Sequence, residues 1–202
     1  MSEIFITSDL HFCHNKPFLY EPRGFISIEE MNEAIVERWN EVVKPNDTIY
    51  NLGDFAMNDV DAAISYIQRL NGNIMWIAGN HDSKMKIDKI LGACWEQELS
   101  YAGYADMLKI HKFNFYLSHY PTLTSNMDDI GLRHRVISLH GHTHQNTNFL
   151  YPDNPFIYHV GVDSHNCYPV NIEEVITDIK NRYYEISRLG IERRPLYDFT
   201  KT

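Results

Sequence analysis

The chain has 202 residues, 44% hydrophobic and 22% charged, with a formal net charge of −9 from 18 basic and 27 acidic side chains. That fits one soluble domain, 1–202, able to bury a core without disulfides, and no apolar run approaches the ~20 residues of a membrane-spanning helix. Residues 173–202 hold six side chains of each sign, so the acidic excess lies in residues 1–172, and no Lys/Arg stripe offers the footprint of a nucleic-acid polymer binder.

Three cysteines, Cys13, Cys94 and Cys167, are odd in number and form no C-x-x-C pair, which argues for a reducing compartment. With no basic segment leading into an apolar one at the start, the expected location is cytoplasmic. Acidity does not exclude an anionic substrate, because bound divalent cations reverse the local sign.

In chain order, Ile4–Ser8 reads as a short buried strand. Ser27 with Glu30 three residues later is a capping box; it opens an amphipathic helix to about Val43 that buries Met31, Ile35, Trp39 and Val42. Pro45-Asn46-Asp47 is a turn into a second strand, Thr48–Leu52. Asp61 to Leu70 reads as a helix closed by Asn71-Gly72 at the left-handed cap. Ile74–Ala78 is a third strand, and a short helix ends near Leu91-Gly92. Strand-like pieces then follow at Met107–Ile110, Phe115–Ser118, Val136–Leu139 and Phe156–Val160. A last helix covers about Ile172–Arg188, with a tail from Gly190 wrapping the surface. A βαβαβα half followed by a strand-rich half predicts an α/β (α+β) fold: a four-layer αββα sandwich, two mixed sheets face to face with helices outside.

The residues that carry chemistry fall just after the predicted strands, where α/β folds gather reactive groups. They are Asp9-Leu10-His11, Gly53-Asp54, Gly79-Asn80-His81-Asp82, Ser118-His119 and Gly141-His142-Thr143-His144. If the backbone is extended, Asp9 and His11 point the same way, as do His142 and His144. Imidazole and carboxylate together suit Mn, Fe, Co and Zn. Taken singly, each block has a plain structural reading as a turn or a surface histidine. Five in order, each after a strand, do not.

These residues, from Asp9 to about Asp163, resemble the calcineurin-like metallophosphoesterases. The fit is best with a compact bacterial and phage branch without extra domains, at Asp9–Asn15, Pro22–Phe25, Ser118–Pro121 and Gly161–Asp163. The resemblance implies one metal on Asp9, His11, Asp54 and His144. It implies a second on Asp54, Asn80, His119 and His142, with the Asp54 carboxylate bridging. His81 matches the catalytic histidine, and Asp82 follows where a carboxylate can orient its ring. One departure stands out. Where the family often has an acidic-Arg pair after Gly-Asp, this chain has Phe55-Ala56-Met57-Asn58-Asp59.

The implied reaction is hydrolysis of a small phosphate ester, expected to be a nucleotide-like phosphodiester. A hydroxide bridging two divalent ions attacks in line, with His81 as general acid. Manganese is the expected metal, with Fe, Zn, Co or Ni as alternatives. Two cations against Asp9, Asp54 and a hydroxide leave the site net positive, since Asn80 is neutral. His14, Asn15, Lys16 and Arg23 follow the first ligand pair, and Arg133, His134 and Arg135 precede the strand leading to His142. Of these, His14, Asn15, Arg23, Arg133 and His134 are the candidate substrate contacts, arginine being suited to phosphate. Cys13 reads as a small packed side chain, and the thirteen tyrosines as core and rim. Competing readings are a phosphomonoesterase, a nuclease, a mononuclear metal hydrolase and a non-catalytic interaction scaffold. The presence of His81 and all seven proposed ligands counts against the scaffold.

Overall fold

In the computed structural model, which describes residues 2–124, 132 and 135–189, the strands form two five-stranded mixed sheets. The first half runs β1 (Ile4–Thr7), α1 (Pro17–Tyr20), α2 (Ile28–Val42), β2 (Thr48–Asn51), α3 (Val60–Ile67), β3 (Asn73–Ile77), α4 (Lys84–Ala93) and β4 (Leu99–Gly103). The second contains β5 (Ala105–Ile110), β6 (Phe113–Ser118), β7 (Val136–His140), β8 (Phe149–Tyr151), β9 (Asn154–His159), β10 (Val170–Asn171) and α5 (Ile172–Arg188). The sheet orders are β10-β1-β2-β3-β4 and β5-β6-β7-β9-β8. The expected pair of mixed sheets with flanking helices is therefore what forms.

Alternation along β1–β3 explains the layering. Phe5, Ile49, Ile74 and Trp76 share a buried cluster with Met31, Ile35 and Trp39 of α2, Ala63 and Ile67 of α3, and Ile87 and Ile90 of α4. Residues of the opposite parity, Ile6, Leu52 and Ile77, join Phe115, Leu117, Ile137, Leu139 and Tyr158 of the second sheet. Parallel strands buried on both faces read as apolar runs, which is why β1 and β3 are easy to find in the sequence. Met31, Ile35 and Trp39 are fully buried, each contributing about 1.5–3 kcal/mol relative to exposure. Helix α5 packs on β9 and on the β10–β1 edge, adding Val175, Ile176 and Ile179 to the second cluster.

The capping box forms with a small shift. Ser27 Oγ accepts from Glu30 N at 3.2 Å, while the Glu30 carboxylate reaches past the cap to Ile26 N at 2.7 Å. The third helix is shorter than expected and ends at Gln68 in a right-handed conformation. Gly72 does take a left-handed φ of +95°, but in the turn into β3. Leu70 must be buried, and Asn71 O accepts from Trp39 Nε1 at 2.8 Å, so the chain leaves the helix early. Strands β4, β8 and β10 are additions to the expected set. The first is a half-exposed edge and the other two have three and two residues, too short for a periodic signal. The predicted tail from Gly190 lies outside the described residues. Among the described residues, no helix is long and apolar enough to cross a membrane.

Candidate metal centre

Strands β1, β2 and β3 are parallel, as are β6 and β7, so the ends of each set open the same way. The loops continue the ladder past the strands: Asp9 N donates to Gly53 O at 3.0 Å, His11 N to Asp54 O at 2.9 Å and Phe12 N to Phe55 O at 3.1 Å. Gly53 and Gly79 make this approach possible. A Cβ on Gly53 would stand 2.6 Å from Gly79 Cα, and one on Gly79 would run into the Asp54 backbone nitrogen and carboxylate.

The convergence does not arise from extended backbone. Asp9, His11, Asp54, His142 and His144 all have left-handed φ, between 48° and 67°. Each such residue costs about 1–3 kcal/mol and persists only where its surroundings hold it. Strand alternation is therefore the wrong reason for the shared direction of Asp9 with His11 and of His142 with His144. The kinked loops aim them, locked by the bonds above and by His142 N donating to Asp9 Oδ2 at 2.9 Å.

Seven side chains meet in two groups that share one atom. In the first, His11 Nε2 lies 3.3 Å from His144 Nε2, 3.6 Å from Asp54 Oδ2 and 4.0 Å from Asp9 Oδ1, and His144 Nε2 is 3.8 Å from Asp9 Oδ1. In the second, Asn80 Oδ1 lies 2.8 Å from His119 Nε2 and 2.9 Å from His142 Nδ1. His119 Nε2 is 3.2 Å from His142 Nδ1 and 3.4 Å from Asp54 Oδ2. Asp54 Oδ2 is the atom common to both. Asp9 also comes within donor range of Asp54 and His119, but Asp54 Oδ2 is nearer to His11 and to His119.

Hydrogen bonds on the far side of the rings fix which nitrogen faces inward. His119 Nδ1 donates to Leu52 O at 2.9 Å, and His144 Nδ1 donates to Asp163 Oδ2 at 2.9 Å. In the tautomers these bonds select, both Nε2 atoms present lone pairs to the cluster. Lone pairs of His119 Nε2 and Asn80 Oδ1 facing each other at 2.8 Å repel unless a cation lies between them. Burial, reinforced by His144 and Arg23, holds His11 well below the ordinary histidine value, and burial lowers His142. Burial raises Asp9, the mark of a carboxylate with too little positive charge around it. For His144 burial acts downward, yet Asp163 and Asp9 outweigh it and the net shift is upward. A first-row metal takes such donors at about 2 Å, which sets neighbouring donors of one ion roughly 3 Å apart. The residues fit divalent metal ions.

The remaining candidates separate. His81 is exposed at the mouth, its ring 5.7 Å from that of His11. Its backbone is pinned at both ends: His81 N donates to Asp54 Oδ1 at 2.9 Å, and Lys86 Nζ donates to His81 O and to Ala56 O. Asp82 does not orient it. The Asp82 carboxylate turns under the loop, where Oδ2 accepts from Asp54 N at 2.7 Å, Gly79 N at 2.9 Å and Trp76 Nε1 at 3.2 Å. Successive residues of a tight loop point apart, so Asp82 turns under the loop while His81 stays exposed at the mouth.

Arg23 is not a substrate contact either. Its side chain is 2% exposed and gives two bonds to Asp163, at 2.8 and 3.0 Å, and one to Asp9 O at 2.9 Å. It braces the first group from beneath, and Asp163 passes that brace to His144. Asp163 lies four residues after the end of β9, in the Gly161-Val162-Asp163 stretch, where sequence position alone assigns it no ligand or supporting role. Arg135 is buried with its guanidinium 4.8 Å from the Phe156 ring centroid, away from the mouth. Arg133 and His134 lie outside the described residues. His14 stays near the site, its ring 5.3 Å from that of His11, and Asn15 is exposed beside it. The rings of His140 and His159, on neighbouring strands, lie 5.4 Å apart at a 53° tilt, and burial pushes them down to about 4 and about 3, so they are neutral packing groups. All three cysteines are free; Cys13 packs against Asn32, and burial pushes its thiol up to about 11.

The family model of the calcineurin-like phosphoesterase superfamily domain matches residues 2–158. An uncharacterized protein of Methanocaldococcus jannaschii is 30% identical over 182 residues, covering 87% of this chain and 90% of that protein. The gene 66 protein of Mycobacterium phage D29 is 29% identical over 199 residues, covering 89% and 98%. A crystal structure of a protein of unknown function from Aquifex aeolicus shares the fold at a TM-score of 0.64 and 22% identity, covering 88% and 99%.

Proposed function

Since this chain belongs to the calcineurin-like phosphoesterase superfamily and is a metal-dependent phosphoric ester hydrolase, we propose that it holds two divalent ions and cleaves a small phosphodiester. The observation that carries the dinuclear reading is Asp54 Oδ2, 3.6 Å from His11 Nε2 and 3.4 Å from His119 Nε2, standing between two donor sets. Asp9, His11 and His144 would hold one ion with it, and Asn80, His119 and His142 the other. Bound there, the metals supply an activated water at neutral pH and positive charge for the phosphoryl oxygens. Mixed oxygen and imidazole donors suit manganese, iron, cobalt or zinc, and manganese is the first to test. Three free cysteines support action in the reducing cytoplasm.

The chain's own residues do the rest. Asp54 divides its carboxylate: Oδ1 accepts from His81 N and fixes the loop, leaving Oδ2 for the centre. His119 and His144 spend their Nδ1 protons on Leu52 and Asp163, which keeps Nε2 free to ligate. His81, exposed at the mouth and held by its backbone, gives a proton to the leaving oxygen, a task imidazole suits near neutral pH.

The Arg23–Asp163 brace predicts a selective metal defect. In Asp163→Ala, His144 loses its anchor and Arg23 keeps a buried, uncompensated charge. Metal titration should show one ion bound about 10–100-fold more weakly, the usual effect of deleting such a support, with the other nearly unchanged. Unaltered affinity for both would remove the bracing role.

A preference for diesters follows from charge. The chain is acidic, and of the candidate arginines Arg23 is committed to Asp163 and Arg135 lies against the Phe156 ring. A monoanionic diester therefore meets less repulsion than a dianionic monoester. With added manganese, kcat/KM for bis-p-nitrophenyl phosphate should exceed that for p-nitrophenyl phosphate. The reverse order would make the enzyme a phosphomonoesterase.

A further inference from the structure

Tyr120 directly follows His119, and its ring lies against two of the proposed ligands: 4.6 Å from the His142 ring at 61° and 5.3 Å from the His119 ring at 75°. Despite these contacts the residue is 51% exposed. Its backbone is held from several directions. Ser118 Oγ donates to Tyr120 O at 2.8 Å, Thr122 Oγ1 donates to the same oxygen at 3.1 Å, and Thr122 N is tied to Ser138 Oγ at 3.2 Å. Pro121 restricts the Tyr120 backbone as well. An aromatic ring on so constrained a segment loses little freedom when something packs against it. Phe18, another exposed aromatic among the described residues, meets His14, its ring 5.8 Å from the imidazole.

Resting on the phosphoesterase reading of this centre, we propose that Tyr120 forms a subsite wall for a planar aromatic ester group, such as an aryl or nucleobase-bearing one. Metal charge answers the phosphoryl group, which carries the anion. The neutral remainder of the ester needs a neutral surface, and the free part of the Tyr120 ring is that surface beside His142. A base stacked on an aromatic side chain gains about five- to a hundredfold in affinity, so substrates with aromatic ester groups would be selected over small alkyl ones. Tyr120 contributes selection of the group and no proton transfer.

The test uses the full chain loaded with manganese and two ligands without an ester bond, phenylphosphonate and methylphosphonate. Calorimetry should show wild type binding phenylphosphonate more tightly. In Tyr120→Leu that preference should fall about tenfold, whereas Tyr120→Phe and Tyr120→Trp should keep it. The kcat/KM ratio of bis-p-nitrophenyl phosphate to methyl p-nitrophenyl phosphate should fall in parallel, while bound metal stays at the wild-type count. Equal weakening of both phosphonates, or metal loss in Tyr120→Leu, would make the ring mere packing over the ligands and overturn the proposal. So would an unchanged preference in Tyr120→Leu while the wild type cleaves esters, and in that case the phosphoesterase reading would stand. A wild type that binds neither metal nor phosphonate would overturn both.

Discussion

Replacing Asp54 by asparagine should strip the centre of both metals and of nearly all activity. The two carboxylate oxygens have different jobs: Oδ1 accepts from His81 N at 2.9 Å, and Oδ2 faces His11 Nε2 and His119 Nε2. An amide has one oxygen. If it serves His81 N, the NH2 group points between the two imidazoles with no lone pair and no charge to offer a cation. If it turns inward, the NH2 group meets the His81 N–H and the loop carrying Asn80 must shift. Either way the loss should exceed the about 10–100-fold that removal of a supporting hydrogen bond costs. Metal counting on protein purified without chelator, beside activity on bis-p-nitrophenyl phosphate, measures both. Two tightly held metals in Asp54→Asn would refute the bridging role.

His81→Ala should behave in the opposite way, keeping its metals and losing turnover. The His81 backbone, not its ring, touches Asp54 and Lys86, so truncation leaves those bonds in place. The ring makes no hydrogen bond to Asp82, whose carboxylate serves Asp54, Gly79 and Trp76. Loss of the ring should lower kcat by about 10²–10⁴-fold, the range for a positioned acid. The defect should shrink for p-nitrophenolate, a leaving group that needs little protonation, and grow for alkyl esters. Equal defects across leaving groups would exclude proton donation. Loss of metal would instead make the imidazole a ligand.

Much of this was legible in the sequence because it depends on residue type and position along the chain. Apolar runs marked β1 and β3, the Pro45-Asn46-Asp47 turn marked the start of β2, α5 has the bounds read from the sequence, and the order of Asp, His and Asn blocks after strands marked every proposed ligand. A side chain able to coordinate or to exchange a proton is a local property. Direction is not local. Asp9, His11, Asp54, His142 and His144 take left-handed φ values that stay uncommon even for Asp and His, which tolerate them better than most residues, and neighbouring loops impose them through bonds such as His11 N to Asp54 O. Arg23 and Asp82 had the right chemistry and the right neighbourhood to serve substrate and acid. The fold decided otherwise, since a buried charge goes to whatever completes its hydrogen bonds: Arg23 to Asp163, 140 residues along the chain, and Asp82 to the backbone of the Asp54 loop. Tyr120 was one tyrosine among thirteen until packing set its ring beside His142 and left half of it bare. Residue types fix which chemistry is present; the meeting of two sheet ends fixes where each group points, because burial and hydrogen-bond partners come from segments far apart in the chain.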